Sequence, residues 1–269
     1  MDGSTLIADV VDDPLLEGYG RFLFPITHRP PGRGDTLADA GKLLTWYSHV
    51  DVGATVDVVN DVLSRRRAGQ TVFHDINNET EKAADPTLRD TGMFIFPAQG
   101  LADGRLPRVA VCCAGGGFAY VGSIHDSMPH ALWLARAISS IHSHAAELGV
   151  DPTGYSLWGG SAGARLAAAL GSYGPARFGG DDVPRAGAVV MQYTGLSEVT
   201  GSEPPTYACM GTADTIAPWR TMRARTDAIA AAGTAAEFHS YEGLPHGFGA
   251  EGGWIEEYDA FMQEAFATT

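Results

Sequence analysis

From about residue 70 onward, short apolar runs alternate with stretches of helical period. That alternation restricts the architecture more than any other feature. RVAVCC (108–113), YSLW (155–158), GAVVMQY (187–193), TYACMGT (206–212) and AEFHSYEG (236–243) read as strands. QTVFHDI (70–76) and TGMFIFPA (91–98) read as two earlier ones. Helical patterns lie between and after them, at 129–148, 162–172, 218–232 and 253–267. In 129–148 the apolar residues Ala131, Leu134, Ile138, Ile141, Ala145 and Leu148 step by three and four, along one face of a helix. After Arg108, the run VAVCC is apolar rather than alternating, which suits a strand buried on both faces. Strand and helix in alternation predict the α/β class: three layers, α/β/α, around a mainly parallel sheet.

Within that pattern, Tyr155 to Arg165 reads YSLWGGSAGAR. Ser161 stands between glycines where a strand stops and an Ala-rich helix starts. Gly-x-Ser-x-Gly alone is a weak signal. Flanked by strand and helix it is the setting of a nucleophile elbow. The turn there is tight, and Gly159 and Gly163 let neighbouring backbone pass without Cβ clashes. Ser161 is thereby presented above the sheet at a helix N-terminus, whose free N–H groups can meet developing negative charge. The competing reading is an ordinary N-cap serine in a Gly-rich turn.

A nucleophilic serine needs a base, and the base needs an orienting carboxylate. On a sheet of this kind both follow later in the chain, the acid first. Asp214 comes just after TYACMGT and before a helix, at a strand's carboxyl end. His246, in PHGFG, comes just after the last strand. Asp181 and Asp182 compete for the acid role, but they precede a strand. Ser161, Asp214 and His246 are therefore the expected catalytic set, on the rim where functional loops of open α/β sheets gather. Strand 108–113 ends in Ala114-Gly115-Gly116-Gly117, where bare backbone can turn N–H groups toward a carbonyl oxygen. Phe118 and Tyr120 extend that loop and are the expected substrate-pocket residues. Trp133, Trp158 and Trp219 read as core aromatics that compete for the same role. The glycine spacing does not make a nucleotide-binding fingerprint.

These motifs resemble the α/β-hydrolase-fold serine esterases, in their hormone-sensitive-lipase-like and small carbohydrate-esterase branches. The resemblance spans about 70–265 and rests on AGGGF, GGSAG, GTADTIAP and LPHGFG in that order. It implies an oxyanion hole from the N–H groups of Gly116, Gly117 and Ala162, and an acyl-enzyme on Ser161. Two features depart from the pattern. Ala114 stands where the lipase-like branch carries histidine. The chain also lacks one strand–helix unit between the Gly-rich loop and the nucleophile strand.

Residues 1–69 differ in character. GYGRFLFPITHRPPGRGD (18–35) reads as an extended arm, and 36–68 has helix-like spacing at Val56, Val59, Val62 and Leu63. Arg65, Arg66 and Arg67 then suit a solvated helix C-terminus. The expected organisation is an N-terminal arm and helix at 1–69, packing on or near the active site, and a catalytic domain at 70–269. The arm is expected to cover the site mouth or to meet a second subunit in a homodimer.

Lys plus Arg is 18 and Asp plus Glu is 32, a net charge of −14. Such a field repels nucleic acid and anionic membrane. The acidic start lacks the layout of a signal peptide, so a cytoplasmic location is expected. Cys112, Cys113 and Cys209 lie in apolar runs and read as reduced core thiols. His125, His130, His142, His144 and His239 lack convergent ligand spacing, so neither metal nor cofactor is expected. Only TGLSEVTGSEPP separates two core strands, leaving little room for a lid. The expected activity is hydrolysis of short-chain, acetyl-like esters, small molecules being the partners. The rivals are a small serine peptidase or amidase and a non-catalytic binding protein of the same fold. Activity is expected to fall below about pH 6–7, where a reference imidazole protonates.

Overall fold

The computed structural model describes residues 1–44, 50–96, 106–117, 138–139, 141–249 and 251–267. The chain divides into two compact units, Met1–Pro97 and Ala98–Thr269. Among the described residues, no helix is long and apolar enough to cross a membrane.

The first unit folds around its own core. It comprises α1 (Ile7–Val11), α2 (Val52–Arg67) and α3 (Glu79–Ala84), with 3-10 turns at Pro14–Leu16, Gly20–Phe22, Leu37–Leu43 and Pro86–Asp90. Ile7, Val10, Leu16, Leu37, Leu43, Val62 and Leu63 are all but inaccessible to solvent. Each such side chain contributes roughly 1.5–3 kcal/mol by leaving water. Asp51 caps α2 by accepting from the Ala54 N–H at 2.9 Å, and Arg65–Arg67 fall in its last turn. The stretch 18–35 is not an extended arm. Phe24 is buried, and the rings of Tyr19 and Phe22 stack on Phe73. Burying those rings outweighs the extended preference of a Gly- and Pro-rich sequence.

The expected domain boundary at 69/70 falls inside this unit. The two early strands are short, β1 (Phe73–His74) and β2 (Met93–Phe94), and among the described residues they pair antiparallel only with each other. Phe73 and Phe94 meet edge to face, and Tyr19 touches both. This aromatic cluster binds residues 73–94 to the N-terminal segment.

The second unit holds a five-stranded sheet in the order β3-β4-β5-β6-β7, every neighbouring pair parallel. The strands are β3 (Arg108–Cys113), β4 (Asp151–Gly160), β5 (Ala188–Gln192), β6 (Thr206–Gly211) and β7 (Ala236–Tyr241). Helices α4 (Ala145–Leu148), α5 (Ala162–Tyr173), α6 (Trp219–Ala231) and α7 (Trp254–Ala267) accompany them. Register assigns the helices to faces. Leu157, Val189, Thr206 and Ala236 are successive cross-strand partners and share one face. The α5 residue Gly171 lies against Val189, and Trp219 of α6 stacks on Phe238 of the same face. Trp158 and Tyr207 point the other way, to Trp254, Tyr258 and Phe261 of α7. Those three α7 residues are four and three apart, one buried stripe of a helix. Three layers result, as expected, and the architecture is that of an α/β-hydrolase fold.

β3 pairs directly with β4, with no strand between them among the described residues. The helix expected over 129–148 is only partly described. Residues 138–139 and 141–143 are helical, the chain turns at His144, and α4 begins at Ala145. Cys113 and Cys209 are buried, whereas Cys112 is exposed. Cys112 lies on β3, which among the described residues pairs with β4 alone, at the end of the strand order.

Candidate active site

β4 ends at Gly160 and α5 begins at Ala162, leaving Ser161 alone in the turn with φ 54° and ψ −114°. For a residue with a Cβ that backbone is strained, typically by about 1–3 kcal/mol. The surroundings hold it there. The Ser161 N–H donates to the Gln192 carbonyl at the end of β5 (2.9 Å). A Cβ on Gly159 would come within 2.3 Å of the Gly163 carbonyl, and one on Gly163 within 2.1 Å of the Cys113 carbonyl. The glycines are thus required by close approach of backbone to backbone. Gly163→Ala is expected to destabilise the fold by about 1–3 kcal/mol or more, read as a lowered thermal midpoint. A wild-type midpoint in that variant contradicts the packing described.

Although Ser161 occupies the N-cap position, its side chain makes no cap hydrogen bond. Its Oγ lies 3.0 Å from Nε2 of His246. Nδ1 of His246 lies 2.8 Å from Oδ2 of Asp214. The other Asp214 oxygen accepts from the N–H groups of Ile216 (2.8 Å) and Ala217 (2.9 Å). Both side chains are nearly closed to solvent, His246 6% and Asp214 1% accessible, so water competes little for these bonds. Burial raises the Asp214 carboxyl. The hydrogen bonds from His246, Ala217 and Ile216 outweigh it, and the group is held below its ordinary value. An ionised Asp214 facing Nδ1 fixes the imidazole with its proton on Nδ1. Nε2 is left to accept from the Ser161 hydroxyl.

Two loops bring these residues together. Asp214 follows β6 and His246 follows β7, both at the carboxyl edge where β4 ends in Ser161. The Leu244 carbonyl accepts from the Ala213 N–H (3.1 Å), and the Gly243 N–H donates to Thr212 Oγ1 (3.0 Å). A Cβ on Gly211 would sit 2.0 Å from the Leu244 carbonyl oxygen, so glycine permits this crossing. Asp181 and Asp182 are exposed, and the carboxylate hydrogen-bonded to His246 is Asp214.

The Gly-rich loop begins beside the elbow, since Gly163 lies against the Cys113 and Ala114 carbonyls. Gly116 and Gly117 take φ of 128° and 59°, which glycine alone adopts readily. Gly116 is buried, as is Ala162, the first residue of α5. Phe118, Tyr120 and Trp133, the first two expected in the substrate pocket, lie outside the described residues. Trp158 packs on Trp254 and Tyr258, and Trp219 on Phe238, so both are core aromatics. His239 is held between Glu237 and Glu257, and His142 meets Tyr155 edge-on.

Sequence reasoning missed Gln192 and Tyr193, at the end of β5. Tyr193 has φ 36°, and its ring packs against His246 and Phe248, 5.1 Å from each ring centre. A Cβ on Gly160 would fall 2.5 Å from the Tyr193 hydroxyl, so the second glycine of GGSAG makes room for this ring. The available signal was a glutamine closing an otherwise apolar run, at the sheet edge where functional loops gather.

The chain matches no curated protein. Among solved structures it resembles esterase 2 of the planctomycete Thermogutta terrifontis. The propionate-bound form is 23% identical, covering 65% of this chain and 87% of that one, with a TM-score of 0.47. The form phosphorylated by paraoxon is 22% identical, covering 64% and 85%, with a TM-score of 0.48. Residues 154–268, the segment that holds Ser161, Asp214 and His246, match the model of the Dienelactone hydrolase family.

Proposed function

We propose that this protein is a serine carboxylesterase that hydrolyses short-chain esters through an acyl-enzyme on Ser161. The observation that supports it most is the unbroken chain from Ser161 Oγ through His246 to Asp214, at 3.0 and 2.8 Å. An N-cap serine would direct its hydroxyl at its own helix, and this one does not.

In the proposed reaction Ser161 Oγ attacks the ester carbonyl carbon while its proton passes to His246 Nε2. The carbonyl π pair moves onto oxygen, facing N–H groups assigned to Gly116, Gly117 and Ala162. Collapse of this intermediate expels the alcohol, which leaves with the proton from His246. Water then attacks the acyl-enzyme, with His246 again taking and returning one proton, and the carboxylic acid departs. Asp214 stays ionised and stabilises the transient imidazolium.

The short-chain preference has its own support. Between β5 and β6, residues 194–205 hold no helix. Arg225, itself buried, fastens that connection by donating to the Glu198 carbonyl (2.8 Å) and pairing with Glu203 (3.4 Å). A connection so short and so tied leaves no room for a lid between these two strands.

The test is hydrolysis of p-nitrophenyl acetate, butyrate and octanoate, with fluorophosphonate labelling. The expected result is kcat/KM highest for the two shorter esters and a single label on Ser161. No turnover with any ester and no label would refute the proposal. Turnover of amides in preference to esters would replace it with the peptidase reading.

A further inference from the structure

The base stands on a loop with little stiffness of its own. Residues 242–249 contain no helix or strand, and Gly247 and Gly249 take positive φ of 77° and 60°. The loop must therefore be held from outside. One fastening is the Asp214 carboxylate on His246. Another is the Gly249 carbonyl, which accepts from Gln192 Nε2 (2.9 Å) and Trp254 Nε1 (2.9 Å).

Gln192 has a second connection. Its main-chain carbonyl receives the Ser161 N–H at 2.9 Å. It is paired in register with Gly160 on one side and Cys209 on the other, in the interior of the sheet. Its side chain is buried. The same residue thus grips the nucleophile's backbone and the base's loop, each by one hydrogen bond. From this we infer that Gln192 is a positioning residue that sets the distance between Ser161 Oγ and His246 Nε2. The inference rests on the serine-esterase reading of this site.

A glutamine is well suited to this place. Its amide spans from β5 to the loop, donates to a carbonyl that can only accept, and has no charge to desolvate. Methionine has similar length and no donor. With Gln192→Met, Gly249 keeps its bond from Trp254, so the loop remains in place but loses one of its restraints. Displacing a reacting group by about 1 Å can cost a hundredfold in rate, so a loosened base is expected to lower kcat by about tenfold or more. Substrate binding does not use this bond, so KM should stay within about twofold of wild type.

The experiment measures kcat and KM of Gln192→Met on p-nitrophenyl acetate, the kcat–pH profile of Gln192→Glu, and the His246 Nδ1 proton resonance in both. The methionine variant should lose kcat at unchanged KM, and its imidazole resonance should broaden or shift. Glutamic acid at 192 can donate to Gly249 only while protonated. Its profile should therefore show an added loss of kcat as that carboxyl ionises, a limb absent from wild type. A purely structural role would not create that limb. Wild-type kcat in the methionine variant, or a wild-type pH profile for Gln192→Glu, overturns the inference. Should Gln192→Met fail to fold, the glutamate profile decides. If the wild-type protein neither cleaves esters nor takes a fluorophosphonate, the esterase reading fails. The imidazole resonance then still decides whether Gln192 holds His246: altered in the variants supports the role, unchanged refutes it.

Discussion

Ser161→Ala is expected to lower kcat on short esters by on the order of a millionfold, and to abolish fluorophosphonate labelling. Alanine removes the oxygen that lies 3.0 Å from His246 Nε2 and leaves the Gly-rich loop and the helix N-terminus untouched. Its stability should stay within about 0.5 kcal/mol of wild type, because Ser161 Oγ makes no cap bond whose loss would weaken α5. The strained φ of 54° persists in alanine and is relieved in glycine. Ser161→Gly should therefore be the more stable of the two by about 1 kcal/mol, measured by thermal or denaturant unfolding. Residual turnover near wild-type level in Ser161→Ala would remove the serine from the mechanism.

Asp214→Asn is expected to lower kcat by on the order of 10⁴-fold with the fold retained. The asparagine oxygen can keep the bonds from Ile216 and Ala217, which turns its NH₂ group toward His246. Nδ1 must then accept rather than donate, the proton moves to Nε2, and the imidazole can no longer take the serine proton. Asp214→Ala goes further, because it removes the acceptor of the Ile216 and Ala217 N–H groups as well as the partner of the histidine. The Asp214 side chain is 1% accessible and hydrogen-bonded on both oxygens, so its loss costs stability as well as turnover.

The depressed Asp214 titration also links stability to pH. A carboxyl with a lowered folded-state value stabilises the fold in its charged form. That contribution is complete above the unfolded-chain value of about 4 and fades as pH falls through the folded value. Wild type should therefore exceed Asp214→Asn in stability at neutral pH, and the two should converge in acid. Denaturant unfolding from pH 7 down to pH 3 measures this. A gap that stays constant over that range contradicts the assignment.

Much of the second unit was legible in the residues themselves. RVAVCC and TYACMGT are short apolar runs, and the observed strands end within a residue of them. Ala162–Tyr173, Trp219–Ala231 and Trp254–Ala267 begin and end close to the periodic segments. Strand ends in turn placed Ser161, Asp214 and His246 on one edge, because a parallel sheet delivers every strand's carboxyl end to the same side. The N-terminal unit was harder to read. Its segments are short turns without strong period, and stacking on Phe73 decides their conformation, a contact between residues more than fifty positions apart.

By itself, then, the amino-acid order determined the α/β class, the positions of most strands and helices, and which hydroxyl, imidazole and carboxylate stand at strand ends. These follow from local period and from glycines that bare backbone needs. Only the tertiary structure decided that residues 73–94 join the N-terminal unit. It alone revealed Gln192 bridging Ser161 to Gly249. Such pairings come from register across strands and from loops crossing at close range, and no local periodicity encodes a distance between remote parts of a chain.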